Sequence, residues 1–410
     1  MSIFIRNATL LTMADVPERG RIDASRPWWQ PGELLIRDDV IEHVGRVPRE
    51  LAATAAVTID ARGRVVMPGF VDCHTHACFA GERLDEWDQR RRGVAYLEIL
   101  QRGGGIMATV RAVRAASRGQ LADALLQRLH VMLREGTTTV EVKSGYGLST
   151  ADELKMLGAI CDAAARWPGT LVATALIGHA LDPEQPDFVD RTIRETLSAV
   201  HTEFPGLAID AFCEQGAWTR DACVRLFDAA AALGHPIRVH ADQFNRLGMV
   251  ESAIRLNARS VDHLEASGDA ELNAIADSDT FGVGLPVCAL HGLGNGDNVN
   301  AARLGQILDA GGRVAIASNL NPGSAPSSSM QLVVALATRL NGLEPIEALR
   351  AATVAPAQLL GFADRGVLLG GARADVCVMR HSDPRMIAHD LGGNCVDAVI
   401  CGGQLVAGPL

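Results

Sequence analysis

Short apolar runs separated by amphipathic stretches fill the middle of the chain. Leu121–Leu133 carries apolar residues at i, i+4 and i+8, the spacing of one buried helix face. Such stretches alternate with runs rich in β-branched residues, which predicts a parallel sheet, and eight repeats suffice to close a barrel. The predicted barrel strands are Val65–Cys73, Thr137–Lys143, Leu171–Ile177, Ala208–Cys213, Pro236–Val239, Ala258–Asp262, Thr280–Leu285 and Arg313–Ala317.

The two ends of the chain have a different pattern. Runs such as Val40–Val44 near the start and Val396–Ile400 near the end follow one another without helices between them. Because neither end has strands enough to bury a face alone, we predict that both ends share one β-sandwich. The predicted fold class is α/β, with a (β/α)8 barrel over residues 65–359 and a small composite domain from residues 1–64 and 360–410.

One connection in the predicted barrel is unusually long. It runs for about 40 residues from Ala77 to Ser117 and includes Tyr96–Ile99 and Gly103–Ile106. Loops of this length in compact domains are usually functional. We therefore predict that this connection covers the substrate.

Composition excludes several classes of partner. The net charge is −10, and no long basic stripe is present, so we expect no nucleic-acid partner. No apolar stretch is long enough to span a membrane and no secretory leader is evident, so we expect a cytoplasmic protein without membrane partners. The nine cysteines form no CxxC pair, which favours reduced thiols over disulfides.

Polar residues follow the predicted strands at the end where barrel enzymes carry their chemistry. His74 and His76 are two apart on a strand, so their side chains point the same way. With His240 from the fifth strand they offer one metal ion three neutral nitrogen ligands and leave a position for water. Other strands end in Lys143–Tyr146, Gly178–His179, Glu214, His263 and Ser318–Gly323.

Six motifs spread over nearly the whole chain resemble those of the metal-dependent amidohydrolases, in particular the imidazolonepropionase-like members. The resemblance implies a barrel with a split β domain, hydrolysis of an imidazolone ring that bears a propionate, and a homodimer. The string Lys143–Leu148 is the most specific part. The motifs are Pro68–His76, Gly103–Ile106, Thr138–Leu148, Phe212–Glu214, His240–Asp242 and Asn321–Gly323.

Residue roles follow from the same resemblance. It implies one divalent metal ion, with zinc as the first choice and iron, manganese or cobalt as alternatives. His263 is expected to be a catalytic residue that faces the attacked carbonyl. An arginine fork at Arg83 also suits a propionate carboxylate on chemical grounds. The implied metal ligands are His74, His76, His240 and Asn319, and the implied substrate-binding residues are Arg83, Tyr146, His179, Asn321, Gly323 and Ser324.

The chain departs from the family pattern at two catalytic positions. Asn319 stands where the family has Asp, and Gln243 stands where many relatives have Glu. An amide carries no charge and cannot accept a proton at pH 7. We therefore predict that Asn319→Asp raises both turnover and metal content. Leu285–Gly296, which includes Cys288 and His291, also differs from the usual sequence and borders the expected ring pocket.

Three interpretations remain open from the sequence. The chain is an imidazolonepropionase-like hydrolase inactivated at Asn319, or a paralogue that hydrolyses the 2-thioxo analogue, 3-(5-oxo-2-thioxoimidazolidin-4-yl)propionate, with release of sulfide. A third interpretation, from another class, is a non-catalytic small-molecule binding protein on the same scaffold. Metal content and product identity separate the three.

Overall fold

The computed structural model describes residues 2–94, 98, 104–292 and 300–408. Within these residues the strands form two eight-stranded sheets. In chain order the strands are β1 (Ser2–Leu10), β2 (Gln30–Arg37), β3 (Val40–Gly45), β4 (Val57–Asp60), β5 (Val65–Pro68), β6 (Phe70–Asp72), β7 (Thr137–Lys143), β8 (Thr170–Gly178), β9 (Ala208–Cys213), β10 (Ile237–Ala241), β11 (Ser260–His263), β12 (Phe281–Gly284), β13 (Arg313–Ile316), β14 (Val376–Met379), β15 (Val396–Cys401) and β16 (Gln404–Ala407).

Strands β6 to β13 lie side by side in sequence order and are parallel, as the alternation of strands and helices predicts. The first and last of these strands meet through their carboxyl-terminal extensions. His76 N donates to the carbonyl oxygen of Leu320 at 3.0 Å, and Asn319 N donates to that of His74 at 3.0 Å. The predicted barrel is therefore confirmed, and its closing seam lies at the histidine pair.

The prediction of a single barrel strand over Val65–Cys73 is wrong. Residues 65–68 form β5, which pairs with β1 and β14 in the other sheet, whereas residues 70–72 form β6 of the barrel. The chain changes sheets at Gly69, whose N–H donates to the carbonyl oxygen of Asp375 at 3.0 Å. A Cβ at Gly69 would overlap the side chain of Thr138, so the crossing requires glycine.

Helices follow most barrel strands. The helix Arg118–Arg134 begins at a Ser117–Gln120 capping box and buries the predicted apolar face. The long connection after β6 holds two helices, and its residues 95–97 and 99–103 lie outside the described part of the chain. The helices are Arg49–Ala52, Leu84–Arg91, Ile106–Ala115, Arg118–Arg134, Thr150–Ala164, Phe188–Arg191, Leu197–Glu203, Arg220–Ala232, Met249–Arg255, Asp269–Ala276, Pro286–Gly292, Leu304–Asp309, Met330–Leu340, Pro345–Ala351, Val354–Leu359 and Arg385–His389, with a π-helical turn over Thr192–Thr196.

The second sheet combines strands from both ends of the chain, as predicted. Its order is β16-β15-β14-β5-β1-β2-β3, with β4 also pairing with β1, so it is one branched sheet. Ile3, Ile5, Leu34, Val376 and Ile400 are buried in its apolar core. Because β5 joins this sheet, the change from one sheet to the other falls at Gly69.

Two further expectations from the sequence concern the cysteines and membrane-spanning segments. All nine cysteines are free thiols, which agrees with the expectation of reduced cysteines. Among the helices of the described residues, none is both long enough and apolar enough to cross a bilayer.

Candidate active site

Five polar side chains are buried where the barrel strands end. His74 and His76 follow β6, His240 lies in β10, His263 ends β11 and Asn319 follows β13. Each is at most 3% exposed. The structure therefore brings the predicted histidines and Asn319 to the same mouth of the barrel, the end at which barrel enzymes carry their chemistry.

The three predicted metal histidines converge. The Nε2 atoms of His76 and His240 are 3.3 Å apart, and one ring nitrogen of each histidine lies within 4.8 Å of the other two. Two nitrogens that bind one tetrahedral zinc ion are about 3.3 to 3.4 Å apart. Among the described residues, His74 Nε2 and Asn319 Oδ1 are buried without a hydrogen-bond partner. Because unpaired buried polar atoms are costly, these atoms fit a cation between them.

Carboxylates fix the orientation of two of these rings. Asp262 Oδ2 lies 2.6 Å from His74 Nδ1, and Asp210 Oδ1 lies 3.0 Å from His240 Nδ1. Burial lowers the pKa of both histidines, although Asp210 raises that of His240, so both rings are neutral at pH 7. A neutral ring that donates from Nδ1 leaves the Nε2 lone pair free for a metal.

A buried charge network supports those carboxylates from below. Lys143 Nζ donates to Glu141 and to Asp210, both at 2.8 Å. Arg238 donates to Asp262 Oδ2 at 2.8 Å. Two cations thus lie between three carboxylates, two of which hold histidines. We call these five residues the barrel-floor network.

The barrel-floor network was not predicted, although the sequence contains a signal for it. Glu141 and Lys143 alternate with valines in β7, and Asp210 and Arg238 each interrupt an apolar run. Parallel strands are buried on both faces and normally consist of apolar runs. A charged residue within such a run therefore indicates the barrel interior.

The turns that present the site have unusual backbone conformations. Asp242, His263, Leu264 and Asn319 have φ angles of 54°, 88°, 71° and 54°. Positive φ is costly for residues other than glycine and tends to occur at functional sites. The strained turns follow β10, β11 and β13, the strands that supply His240, His263 and Asn319.

The side-chain amides of Gln243 and Asn319 meet at a thiol. Gln243 Nε2 donates to Cys288 Sγ at 3.5 Å, and the side chains of Asn319 and Ser324 also contact that sulfur. Burial raises the pKa of Cys288 to about 12, so the thiol is protonated at neutral pH. Cys288 is thus a neutral neighbour of both amides.

Glu265, a carboxylate that was not predicted, lies in the same pocket. Glu265 Oε1 is 3.2 Å from His263 Nδ1, and one ligand-type atom from each of His263, Glu265 and Cys288 lies within 4.8 Å of the others. Glu265 Oε2 is buried without a hydrogen-bond partner among the described residues. The pocket therefore contains an acidic group although Asn319 and Gln243 are amides.

Arg83 reaches the loop after β13. Its Nη2 atom lies 2.6 Å from Glu86 Oε2, and its guanidinium packs so closely on Gly323 that a Cβ there would overlap it. The ring of His291 lies near the same cation, and burial, together with nearby arginines, lowers its pKa. Arg83, Gly323 and His291 thus border one side of the pocket.

Tyr146 and His179 lie next to His76, and the positive charge of Arg83 acts on Tyr146. The rings of His76 and His179 stack with centroids 4.9 Å apart, and those of Tyr146 and His179 are 5.2 Å apart. His179 Nδ1 lies 2.9 Å from the carbonyl oxygen of Gly145. Burial lowers the pKa of His179 to about 3 and raises that of Tyr146, so both rings are neutral hydrogen-bonding groups.

Asn321 holds its own turn. Its Oδ1 accepts hydrogen bonds from the N–H groups of Gly323 at 2.8 Å and Ser324 at 2.7 Å, and its Nδ2 donates to the carbonyl oxygen of Asn319 at 2.7 Å. The side chain therefore shapes the loop that carries Gly323 and Ser324. Direct contact of these three residues with substrate remains a prediction.

The combination of the barrel, the composite sheet and the histidine cluster is typical of one class of enzyme. The Amidohydrolase family model matches residues 65–406, and the chain belongs to this family of metal-dependent hydrolases. The chain is similar along its length to the imidazolonepropionase of Deinococcus radiodurans, with 43% identity over 397 residues and 97% of each chain covered. It is also similar to the imidazolonepropionase of Chloroflexus aggregans, with 40% identity over 425 residues and 98% of each chain covered.

Solved structures share the fold at lower identity. The 5-methylcytosine deaminase of Klebsiella pneumoniae, liganded with phosphonocytosine, has a TM-score of 0.75 and 17% identity over 100% of this chain and 98% of that one. The atrazine chlorohydrolase of Arthrobacter aurescens TC1, complexed with zinc, has a TM-score of 0.70 and 19% identity over 99% and 95%. These likenesses confirm the predicted architecture.

Proposed function

We propose that this chain hydrolyses a five-membered imidazolone-type ring that carries a propionate side chain. The convergence of His74, His76 and His240 on one point supports a metal-dependent reaction. Similarity to imidazolonepropionases over nearly the full length supports the substrate class. The substrate is thus a small heterocycle with a carboxylate.

In this proposal ring nitrogens of His74, His76 and His240 would hold the ion, and Asn319 would contribute Oδ1. When bound, the ion lowers the pKa of a water molecule and polarises the ring carbonyl. Three imidazoles and one oxygen are a common donor set for zinc, and iron, manganese and cobalt accept the same donors. Asp262 and Asp210 orient two of the rings and increase their basicity.

The propionate is assigned to Arg83. A guanidinium presents two parallel N–H donors that match a carboxylate, and Nε and Nη2 of Arg83 both donate to Glu86 Oε2, at 2.9 and 2.6 Å. Tyr146 and His179, both neutral, orient the ring by hydrogen bonds beside His76. The substrate then extends from the loop after β13 across the mouth of the barrel.

His263 is assigned to the attacked carbon. Its ring centroid lies 5.6 Å from that of His240 and 6.0 Å from that of His74, so it faces the metal histidines across the centre. An imidazole at this position can bond the attacking water and the oxygen on which charge develops. We therefore assign His263 a catalytic role.

The Asn319, Gln243 and Cys288 cluster favours a second candidate reaction, hydrolysis of the 2-thioxo ring. Ring opening requires protonation of a leaving nitrogen, and the family supplies this proton from the carboxyl group that Asn319 lacks. If water instead attacks a thioxo carbon, the C–S bond breaks, hydrosulfide leaves and a carbonyl remains. Hydrosulfide is a better leaving group than an amide nitrogen, so two amides impair this reaction less.

Product identification tests the proposal. Metal-loaded enzyme is incubated with the oxo and thioxo ring propionates, and the masses of the products are measured by mass spectrometry. Ring opening adds one water, whereas desulfurisation exchanges sulfur for oxygen. One of these products supports hydrolysis of this substrate class. If the protein contains metal, binds both rings and converts neither, the proposal is wrong and the binding-protein interpretation is right.

Arg83→Gln tests the assigned substrate orientation. Loss of a hydrogen-bonded charge pair should raise KM by about 10- to 100-fold with the same product. Arg92→Gln is the matched control, because Arg92 is exposed and pairs with Asp88 at the surface. Equal KM values for the two variants would refute the assignment of the propionate to Arg83.

A further inference from the structure

Glu265 is a carboxylate in the pocket to which no role has been assigned so far. Glu265 belongs to the strained turn after β11, in which His263 and Leu264 both have positive φ. This turn directs the side chains of His263 and Glu265 toward Cys288, beside the two amides. Two consecutive residues with positive φ are costly, which indicates that the placement of these side chains matters.

The pair formed by His263 and Glu265 has the geometry of a carboxylate that orients an imidazole. Glu265 Oε1 lies 3.2 Å from His263 Nδ1, and the Glu265 side chain is 8% exposed. A carboxylate on Nδ1 selects the tautomer that carries a proton there and leaves Nε2 as a proton acceptor. The same carboxylate stabilises the imidazolium that forms when Nε2 accepts a proton.

Among the described residues, three other neighbours of His263 and Glu265 are poor proton acceptors at neutral pH. Gln243 and Asn319 are amides, and the Cys288 thiol is protonated near neutral pH. Glu265 Oε2, by contrast, is buried without a partner among the described residues. An unpaired carboxylate oxygen in this position can accept a hydrogen bond from the imidazole, from a water molecule or from substrate.

We propose that Glu265 is the positioning residue that makes His263 the proton carrier of the reaction and replaces the family carboxylate that is absent at Asn319. This inference rests on the proposed ring hydrolysis. His263 Nε2 accepts a proton from the attacking water as the new C–O bond forms. The ring C–N bond then breaks, and its nitrogen receives that proton from His263.

A double-mutant cycle tests this role. Glu265→Gln should lower kcat by about 100-fold or more, because the imidazolium loses its counter-charge. In the Asn319→Asp background, where a carboxylate is again present, the same change should lower kcat by less than about 10-fold. Metal content and KM should stay near the wild-type values. A purely structural role predicts equal losses in both backgrounds, and that result would overturn the proposal.

Glu271→Gln is the matched control. Glu271 lies six residues further along the chain and accepts a hydrogen bond from Gly268 N at 2.8 Å, outside the pocket. Its removal should affect stability and leave kcat unchanged. A drop in kcat for Glu271→Gln equal to that for Glu265→Gln would also overturn the proposal.

A measurement without substrate separates this proposal from the proposed function. In nitrogen-15 NMR spectra of the metal-loaded enzyme, His263 should carry its proton on Nδ1, and Glu265→Ala should shift it toward a mixture of tautomers. If the wild type converts neither ring, the proposed function fails, and this spectrum alone decides whether Glu265 positions His263. An unchanged tautomer in Glu265→Ala would refute the positioning role.

Discussion

The interior of the barrel below the histidines and the interior of the composite sheet are both fully buried but differ in chemistry. The barrel-floor network places Lys143 and Arg238 among three carboxylates. The composite sheet buries residues such as Ile3 and Ile400. Apolar burial stabilises a fold directly, whereas buried ion pairs recover little more than their desolvation cost. The contrast therefore indicates that the network orients the metal ligands.

The largest expected effect comes from the barrel-floor network. Asp262→Asn leaves Arg238 without its closest counter-charge and weakens the hold on His74, so the free energy of unfolding should fall by about 3–5 kcal/mol and metal affinity by about 10- to 100-fold. Urea denaturation measures the free energy of unfolding, and metal titration measures the metal affinity. Asp162→Asn breaks a surface pair with Arg118 and should leave both quantities nearly unchanged. Unchanged metal affinity in Asp262→Asn would contradict the orienting role.

Truncation in the composite sheet should separate stability from activity. Ile5 is fully buried, and Ile5→Ala should lower the free energy of unfolding by about 2–4 kcal/mol. Because Ile5 belongs to the other sheet, kcat and metal content of the folded variant should match those of the wild type. Denaturation with parallel kinetics checks this, and a large fall in kcat would show that the two regions are not independent.

The smallest expected effect is that of Asp375, an acidic residue directly before β14 of the composite sheet. Burial raises the pKa of Asp375, while Arg373 opposes the shift. As pH rises above the ordinary carboxyl range, the unfolded chain loses this proton before the folded protein does, so the free energy of unfolding falls. Asp375→Asn should flatten this part of the stability–pH curve. An unchanged slope would assign the pH dependence to other groups.

Local pattern sufficed to predict most of the fold. Alternating strands and helices predicted the barrel, since burial on both faces makes parallel strands continuously apolar. The same rule gave a wrong prediction at Val65–Cys73, because an apolar run is compatible with a buried strand in either sheet. The run is split between the two sheets at Gly69, which contacts Thr138 and Asp375. Both of these residues are distant from Gly69 in sequence.

In the candidate site, too, some residues could be predicted from the sequence and others could not. His74 and His76 could be predicted because their spacing along one strand carries the signal. Glu265 could not, because its meaning depends on Cys288 and on the amides contributed by other strands. Asp262 was missed for the same reason, since its partner His74 is 188 residues away in sequence. Local spacing thus predicts the metal ligands, whereas tertiary contacts are needed to find the groups that tune them.

Metal content is the most direct test of the central claim that His74, His76 and His240 share one cation. Protein purified without chelator should contain about one equivalent of divalent metal, and His240→Ala should contain less than about a tenth. His130→Ala, which alters a surface helix, should keep the full equivalent. Absence of metal from the wild type, or a full equivalent in folded His240→Ala, would contradict the account.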